Sequence, residues 1–201
     1  MEFLITDFQS NSNVLECPAH NQPEYAFIGR SNVGKSSLIN MILNRKIAHT
    51  SSKPGKTQLI NHIAINNSWS LVDLPGYGYA QLSKTKKKEI LKRTRDYFLK
   101  KRSQLAAAFI LIDIRIPPQK IDLEWMEWLV KNEVYFIRAF TKSDSLTKNK
   151  IIESVKKYDE ILRKNHWETI PETIVTSSVE KHGKNTIIKK ITEMNNLFQN
   201  M

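Results

Sequence analysis

The residues Gly29-Arg30-Ser31-Asn32-Val33-Gly34-Lys35-Ser36 follow the pattern G-x-x-x-x-G-K-S. The two glycines let the backbone wrap around a phosphate with its N–H groups pointing inward, and a following helix N-terminus adds partial positive charge. Lys35 can then reach β- and γ-phosphates as a point charge, while the Ser36 hydroxyl is suited to ligate Mg²⁺. This chemistry predicts a bound nucleoside triphosphate. The alternative is a glycine turn ahead of an ordinary helix, and the flanking sequence disfavours it.

Those residues need a strand before them and a helix after them, and both are readable. Tyr25-Ala26-Phe27-Ile28 is a short apolar run typical of a buried strand. Val33, Leu38, Ile39, Ile42 and Leu43 then fall on one face of a helix over about 34–44. Downstream, Arg45 to Gln58 is polar and carries Pro54-Gly55, which predicts a long functional loop. Leu59–Ile65 and Trp69–Val72 read as strands joined by a hairpin-like turn at Asn66-Asn67. The second runs into Asp73-Leu74-Pro75-Gly76, placing a carboxylate at the carboxyl edge of the sheet, where open α/β folds bind ligands. Strands are also predicted at Leu105–Asp113, Val134–Phe140 and Glu172–Val175. Helical spacing follows each, on Leu123, Trp125, Met126, Leu129 and Val130, on Ile151 to Leu162, and on Ile187 to Leu197. Only a short strand, around Phe3-Leu4-Ile5, is expected before residue 23. Alternating strands and helices predict an α/β fold with a mostly parallel sheet, one antiparallel strand and helices on both faces. The expected division is an N-terminal extension, 1–22, and a nucleotide-binding domain, 23–201.

Composition narrows the setting. The chain has 201 residues, enough for one core-forming domain, and 40% of them are hydrophobic. Cys17 is the lone cysteine, so no disulfide framework is available. The N-terminus carries Glu2 and Asp7 where a signal peptide needs lysines, and Leu105–Ile112 is too short to span a bilayer. A soluble cytoplasmic monomer without stable membrane insertion is expected. The net charge is +11, and Lys84 to Arg102 holds ten basic residues against Glu89 and Asp96. Ile90, Leu91, Thr94, Tyr97 and Phe98 give this segment a buried helical face. Like charges this dense cost helix stability unless an anion compensates, which favours nucleic-acid contact over a merely solvated face or an anionic membrane.

The motifs together resemble a known family. The phosphate loop, Gly55-Lys56-Thr57-Gln58, Asp73-Leu74-Pro75-Gly76-Tyr77-Gly78, Thr141-Lys142-Ser143-Asp144 and Thr176-Ser177-Ser178 stand in the order and spacing of Ras-like GTPases. The wording GRSNVGKSSLIN, PGKTQ, DLPGYGYA and TKSD resembles the EngB (YihA/YsxC) family of bacterial ribosome-biogenesis GTP-binding proteins, over roughly residues 20–195. The resemblance implies a three-layer Ras-like P-loop domain that binds GTP and GDP with Mg²⁺ and acts in large ribosomal subunit assembly, with links to cell division and septation. It assigns nucleotide contacts to Gly29, Arg30, Ser31, Asn32, Val33, Gly34, Lys35, Ser36 and Ser37, and to Gly55, Lys56, Thr57, Gln58 and Leu59. Asp73, Leu74, Pro75 and Gly76 follow, then Thr141, Lys142, Ser143 and Asp144, and finally Thr176, Ser177 and Ser178. Ser36 and Thr57 are the implied metal ligands, and Lys35, Thr57 and Gly76 the catalytic positions. Asp144 can accept from guanine N1–H and N2–H₂, donors that adenine lacks, and would be left unpaired against adenine. Lys142 would lay an apolar stem along the base. The Ser177–Ser178 backbone would donate to guanine O6, Asp73 would hold a metal-bound water, and the Gly76 N–H would touch the γ-phosphate.

Three positions depart from these patterns, and a fourth matches a subset of GTPases. Tyr77 stands where Ras-like enzymes have a water-orienting glutamine, so intrinsic turnover is expected to be slow. Asn32 matches the loop asparagine of GTPases that use K⁺ as a transition-state charge, which makes K⁺ an optional cofactor. Ser143 replaces the common alanine of the base motif, and Ile116 a common histidine. The expected partners are a guanine nucleotide and, through Lys84–Arg102, ribosomal RNA or a large-subunit precursor. Two other classes stay open: a P-loop ATPase or nucleotide kinase, and an RNA-binding module with a vestigial nucleotide site.

Overall fold

In the computed structural model, residues 3–47, 59–78, 82–101 and 103–199 are described. The strands are β1 (Ile5–Asn11), β2 (Glu24–Gly29), β3 (Ile60–Ile65), β4 (Trp69–Asp73), β5 (Leu105–Asp113), β6 (Phe136–Thr141) and β7 (Thr173–Val175). The helices are α1 (Lys35–Leu43), α2 (Lys84–Lys100), α3 (Lys120–Lys131), α4 (Lys148–Lys164) and α5 (Lys184–Gln199). The strands form one sheet in the order β1-β3-β4-β2-β5-β6-β7. β3 runs antiparallel to both β1 and β4, and the remaining pairs are parallel. The expected fold class, with its single antiparallel strand, is what the chain adopts.

The reversal at β3 has a local cause. Asn66 and Asn67 take φ of 52° and 50°, and Ser68 N–H donates to Ile65 C=O at 3.0 Å. Two consecutive left-handed residues make the hairpin turn whose twist matches the strands, and asparagine tolerates that conformation. The Asn66 side chain also accepts from Leu4 N–H at 2.9 Å, tying the start of the chain to the turn. This helps to make β1 a seven-residue strand beginning at Ile5, longer and later than expected. Most of β1 is exposed, so no alternation marks it in the sequence.

The central strands are buried on both faces, which is why they read as continuous apolar runs. Tyr25, Phe27, Phe109 and Leu111 face α1 and α5, where Leu38, Ile39, Ile42, Ile187 and Ile191 meet them. Ala26, Ile28, Ile110 and Ile112 face α2, α3 and α4, against Tyr97, Phe98, Trp125, Met126 and Tyr158. Phe27 stacks on Phe109 at 4.8 Å, and truncating either ring would cost about 3–5 kcal/mol. The carboxyl ends of β2, β4, β5 and β6 therefore stand on a rigid floor.

The basic helix α2 is capped by Ser83, whose side chain accepts from Lys86 N–H at 3.3 Å. Ile90, Thr94, Tyr97 and Phe98 are buried as expected, and Lys84, Lys86, Lys87, Lys88 and Lys92 are exposed. Lys101 corrects the picture of one cationic surface. It turns inward and spends its ammonium on the carbonyls of Pro18 (2.6 Å) and Cys17 (3.3 Å). Arg102 lies outside the described residues.

Candidate nucleotide-binding site

The phosphate loop links β2 to α1. Gly29 closes β2, and an added Cβ would come within 2.9 Å of Leu111, so no larger residue fits there. Asn32 and Gly34 take φ of 62° and 101°, which curls the backbone before the helix. Gly34 is the N-cap of α1 and supplies no side-chain hydrogen bond, so no cap side chain competes for the first-turn amides. Such an uncapped glycine cradle fits an anion. Lys35 opens α1 with its ammonium buried and ion-paired to Asp73, the last residue of β4. Ser36 is half-buried one residue on, and Ser37 is exposed.

The Thr141–Asp144 loop is strapped directly onto that cradle. Thr141 Oγ1 donates to Val33 C=O at 2.6 Å, and Lys142 Nζ donates to Asn32 C=O at 2.6 Å. A Cβ on Gly34 would lie 3.6 Å from Lys142 Cε. Lys142 adopts φ of 63° and also donates to Asp113 Oδ2 at 2.8 Å. Asp113 accepts three further bonds from Arg115, backbone N–H to Oδ1 at 3.2 Å, Nε to Oδ1 at 2.9 Å and Nη2 to Oδ2 at 2.8 Å. Burial works to raise the Asp113 pKa, but the Arg115 and Lys142 donors more than offset it and hold the carboxyl at about 2. Asp144 is exposed, and Ser177 Oγ donates to its Oδ1 at 2.6 Å. Thr176 is wholly buried and bonded to Phe140 C=O, while Ser143 N–H donates to Thr176 C=O at 3.2 Å. The structure thus gathers Gly29–Ser37, Asp73, Thr141–Asp144 and Thr176–Ser178 at one edge of the sheet.

One expected donor is already engaged. Ser177 N–H bonds to His182 C=O at 3.2 Å. Gly55, Lys56, Thr57 and Gln58 lie outside the described residues, and Leu59, just after them, is exposed.

Leu74, Pro75, Gly76 and Tyr77 lie buried alongside the loop. Leu74 N–H donates to Phe27 C=O (3.1 Å), Tyr77 N–H to Gly29 C=O (3.1 Å) and Ser31 N–H to Tyr77 C=O (3.0 Å). The Tyr77 ring stacks on Trp125 at 5.4 Å, and its hydroxyl donates to Asp122 Oδ1 at 2.8 Å. Burial, then the neighbouring Asp122, raise the Tyr77 hydroxyl well above the ordinary tyrosine range, so it stays protonated.

Comparison with known proteins identifies the family. The family described as 50S ribosome-binding GTPase matches residues 24–142. A relative in Flavobacterium psychrophilum, described as a probable GTP-binding protein EngB, is 54% identical over 195 residues, covering 96% of this chain and 93% of its own. Its counterpart in Phocaeicola vulgatus is 53% identical, covering 97% and 98%. The chain belongs to the EngB family of GTP-binding proteins. It is accordingly a GTPase that binds guanine nucleotides. A crystal structure of a probable EngB superposes with a TM-score of 0.71 at 23% identity, covering 86% of this chain and 98% of that one. Era from Aquifex aeolicus, bound to GDP and AlF₄⁻, gives 0.67 at 20% identity, covering 87% of this chain and 57% of that one. Both show the shared fold.

Three residues around this EngB site escaped sequence reasoning. Asp113 had a signal, since it closes an apolar strand just as Asp73 does. Arg115, two residues on, had none. Asp122 had a weaker one, an acid three and four residues before the apolar Trp125 and Met126 on one helical stripe. Among the described residues, no helix is long and apolar enough to cross a membrane. No group of three or more His, Cys, Asp or Glu side chains among them could hold a metal ion by itself. A magnesium site that relies on one or two protein oxygens plus phosphate needs no such group.

Proposed function

We propose that residues 23–201 form a Mg²⁺-dependent GTP/GDP switch acting in large ribosomal subunit assembly, with residues 1–22 fastened to it through β1. The observation that carries the reading is the strap between the base motif and the phosphate loop, Lys142 to Asn32 and Thr141 to Val33. Asp144 is exposed two residues beyond Lys142, which supports a reading in which one nucleotide meets both its carboxylate and the glycine cradle.

In this reading Asp144 accepts from the guanine N1–H and N2–H₂ groups, and Ser177 holds its carboxylate in place. The Lys142 stem lies along the base. The first-turn amides of α1 and Lys35 bind the β- and γ-phosphates. Ser36 and Thr57 would hold Mg²⁺, which when bound would supply charge neutralisation to the phosphates, and Asp73 would orient a water beside it. Gly76 N–H donates to the γ-phosphate, a contact that hydrolysis removes. Hydrolysis is slow because Tyr77, tied to Asp122, has no group to orient the attacking water. The exposed lysines of α2 contact ribosomal RNA, and nucleotide state repositions them. A partner or K⁺ near Asn32 accelerates turnover, and the link to septation follows from this cytoplasmic role. The family description as ribosome-binding and the charge of α2 support the RNA contact.

Fluorescent GDP and ADP titrations of wild type and Asp144→Ala test the site. Wild type should prefer GDP by about 100-fold or more, and Asp144→Ala should lose most of that preference. Equal affinities in wild type would overturn the reading. Co-sedimentation with ribosomal subunits in GTP, GDP and nucleotide-free states tests the switch. Salt-dependent binding that is identical in all three states would remove it.

A further inference from the structure

Asp122 is a fully buried carboxylate in α3, on the stripe that carries Trp125 and Met126. Burying a carboxylate costs several kcal/mol that a leucine there would not incur. Its partners come from three separate elements. Oδ1 accepts from the Tyr77 hydroxyl at 2.8 Å, and Oδ2 accepts from Arg30 Nε at 3.2 Å and from the Tyr158 hydroxyl at 3.3 Å. Arg30 belongs to the phosphate loop, and Tyr77 is the residue after Gly76.

We infer that Asp122 is a positioning residue for GTP hydrolysis, holding Tyr77 and Arg30 together so that Gly76 is set against the phosphate loop before GTP arrives. Tyr77 pairs in parallel with Arg30, one step beyond the end of β2, through the bonds to Gly29 and Ser31. That bridge is short and lies at the sheet edge, so the backbone alone holds it weakly. Asp122 fixes the side chains of both bridged residues from the same carboxylate, and Trp125 stacks on the Tyr77 ring. Gly76, one peptide away, is thereby pre-placed, and a pre-placed donor binds its acceptor without first losing conformational freedom. GDP has no γ-phosphate for this donor. The latch therefore favours GTP over GDP and leaves GDP affinity alone. The inference rests on the proposed role of Gly76 at the γ-phosphate.

Tyr77→Phe removes only the hydroxyl donation and keeps the ring, while Asp122→Asn keeps the shape and removes the charge. Binding of GDP and of a non-hydrolysable GTP analogue should be measured for wild type, each single variant and the double variant, with single-turnover GTP hydrolysis. Analogue affinity and hydrolysis rate should fall about three- to tenfold in Tyr77→Phe, with GDP affinity within about twofold of wild type. The double variant should be no worse than the worse single one, because both act through one contact. Equal losses for GDP and analogue would mark a merely structural role and overturn the inference, as would additive effects or tighter analogue binding. Should Asp122→Asn not fold, Tyr77→Phe decides alone. A Gly76→Pro variant, which removes the backbone N–H itself, separates the two readings. If it leaves the analogue-to-GDP ratio unchanged, the site reading fails and takes this inference with it. If it shifts the ratio and Tyr77→Phe does not, only the inference fails.

Discussion

Two buried aspartates brace the phosphate loop, and their surroundings are opposite. Asp113, at the end of β5, is ringed by two cations, Arg115 and Lys142, and reaches the loop through Lys142 on Asn32. Asp122, in α3, is ringed by two phenols and one guanidinium, and reaches the loop through Arg30. Donors outweigh burial for the first and pull its carboxyl down to about 2, while burial outweighs them for the second and pushes its pKa up. The Thr141–Asp144 side of the loop is thus locked by a fully charged cluster. The Gly76 side is held by a carboxylate that is costly to keep ionised.

The harshest way to break this comparison is Lys142→Ala, which removes the strap to Asn32 and strips Asp113 of one cation together. GDP and GTP affinities should fall in parallel, by about 30-fold or more, in a nucleotide titration. A loss confined to GTP would mean that the base side is not separately locked.

Asp113→Asn should destabilise the fold at neutral pH by on the order of 2 kcal/mol at most, read from urea unfolding. Its folded pKa lies below the ordinary 3.8, so its contribution is present above that value and lost as pH falls through about 2. The gap between wild type and variant should accordingly close between about pH 4 and pH 2. A gap independent of pH would show that the cations do not hold the charge.

Asp122 should behave with the reverse sign. Its folded pKa is raised, chiefly by burial, so its contribution is complete below the ordinary aspartate value and is lost as pH rises through the folded one. Acidifying from about pH 7 towards pH 4 should stabilise wild type relative to Asp122→Asn. The same unfolding series would reveal the opposite slope if the phenols and Arg30 dominated.

The smallest effect belongs to Arg115→Ala. Arg115 is 44% exposed, so its bidentate pair with Asp113 is screened and its removal should cost less than about 1 kcal/mol. The Asp113 carboxyl should nonetheless move back up towards the ordinary range, which side-chain NMR titration would detect.

How much of this was legible follows from how far apart the partners lie. Gly29 to Ser36 form one strand–turn–helix unit, so their types and spacing carry the cradle without reference to the rest of the chain. The buried strands were legible because burial on both faces leaves an uninterrupted apolar run. β1 was not, since an exposed edge strand needs no pattern and depends on β3 and on Asn66 for its place. Lys101 reads like the other lysines of its segment, and only the carbonyls of Cys17 and Pro18 reveal that it faces inward.

The sequence by itself therefore determined the phosphate cradle, the order of the motifs, the α/β class and the charge of α2, because each is written in local spacing or composition. The tertiary structure alone decided that Asp122 meets Tyr77 and Arg30, and that Thr141 and Lys142 strap the base loop onto the cradle. Those partners are 45 and 92 residues apart in the first case and about 110 in the second. A hydrogen bond between distant side chains leaves no periodicity, and only the packing of helices and loops over the sheet brings its two ends together.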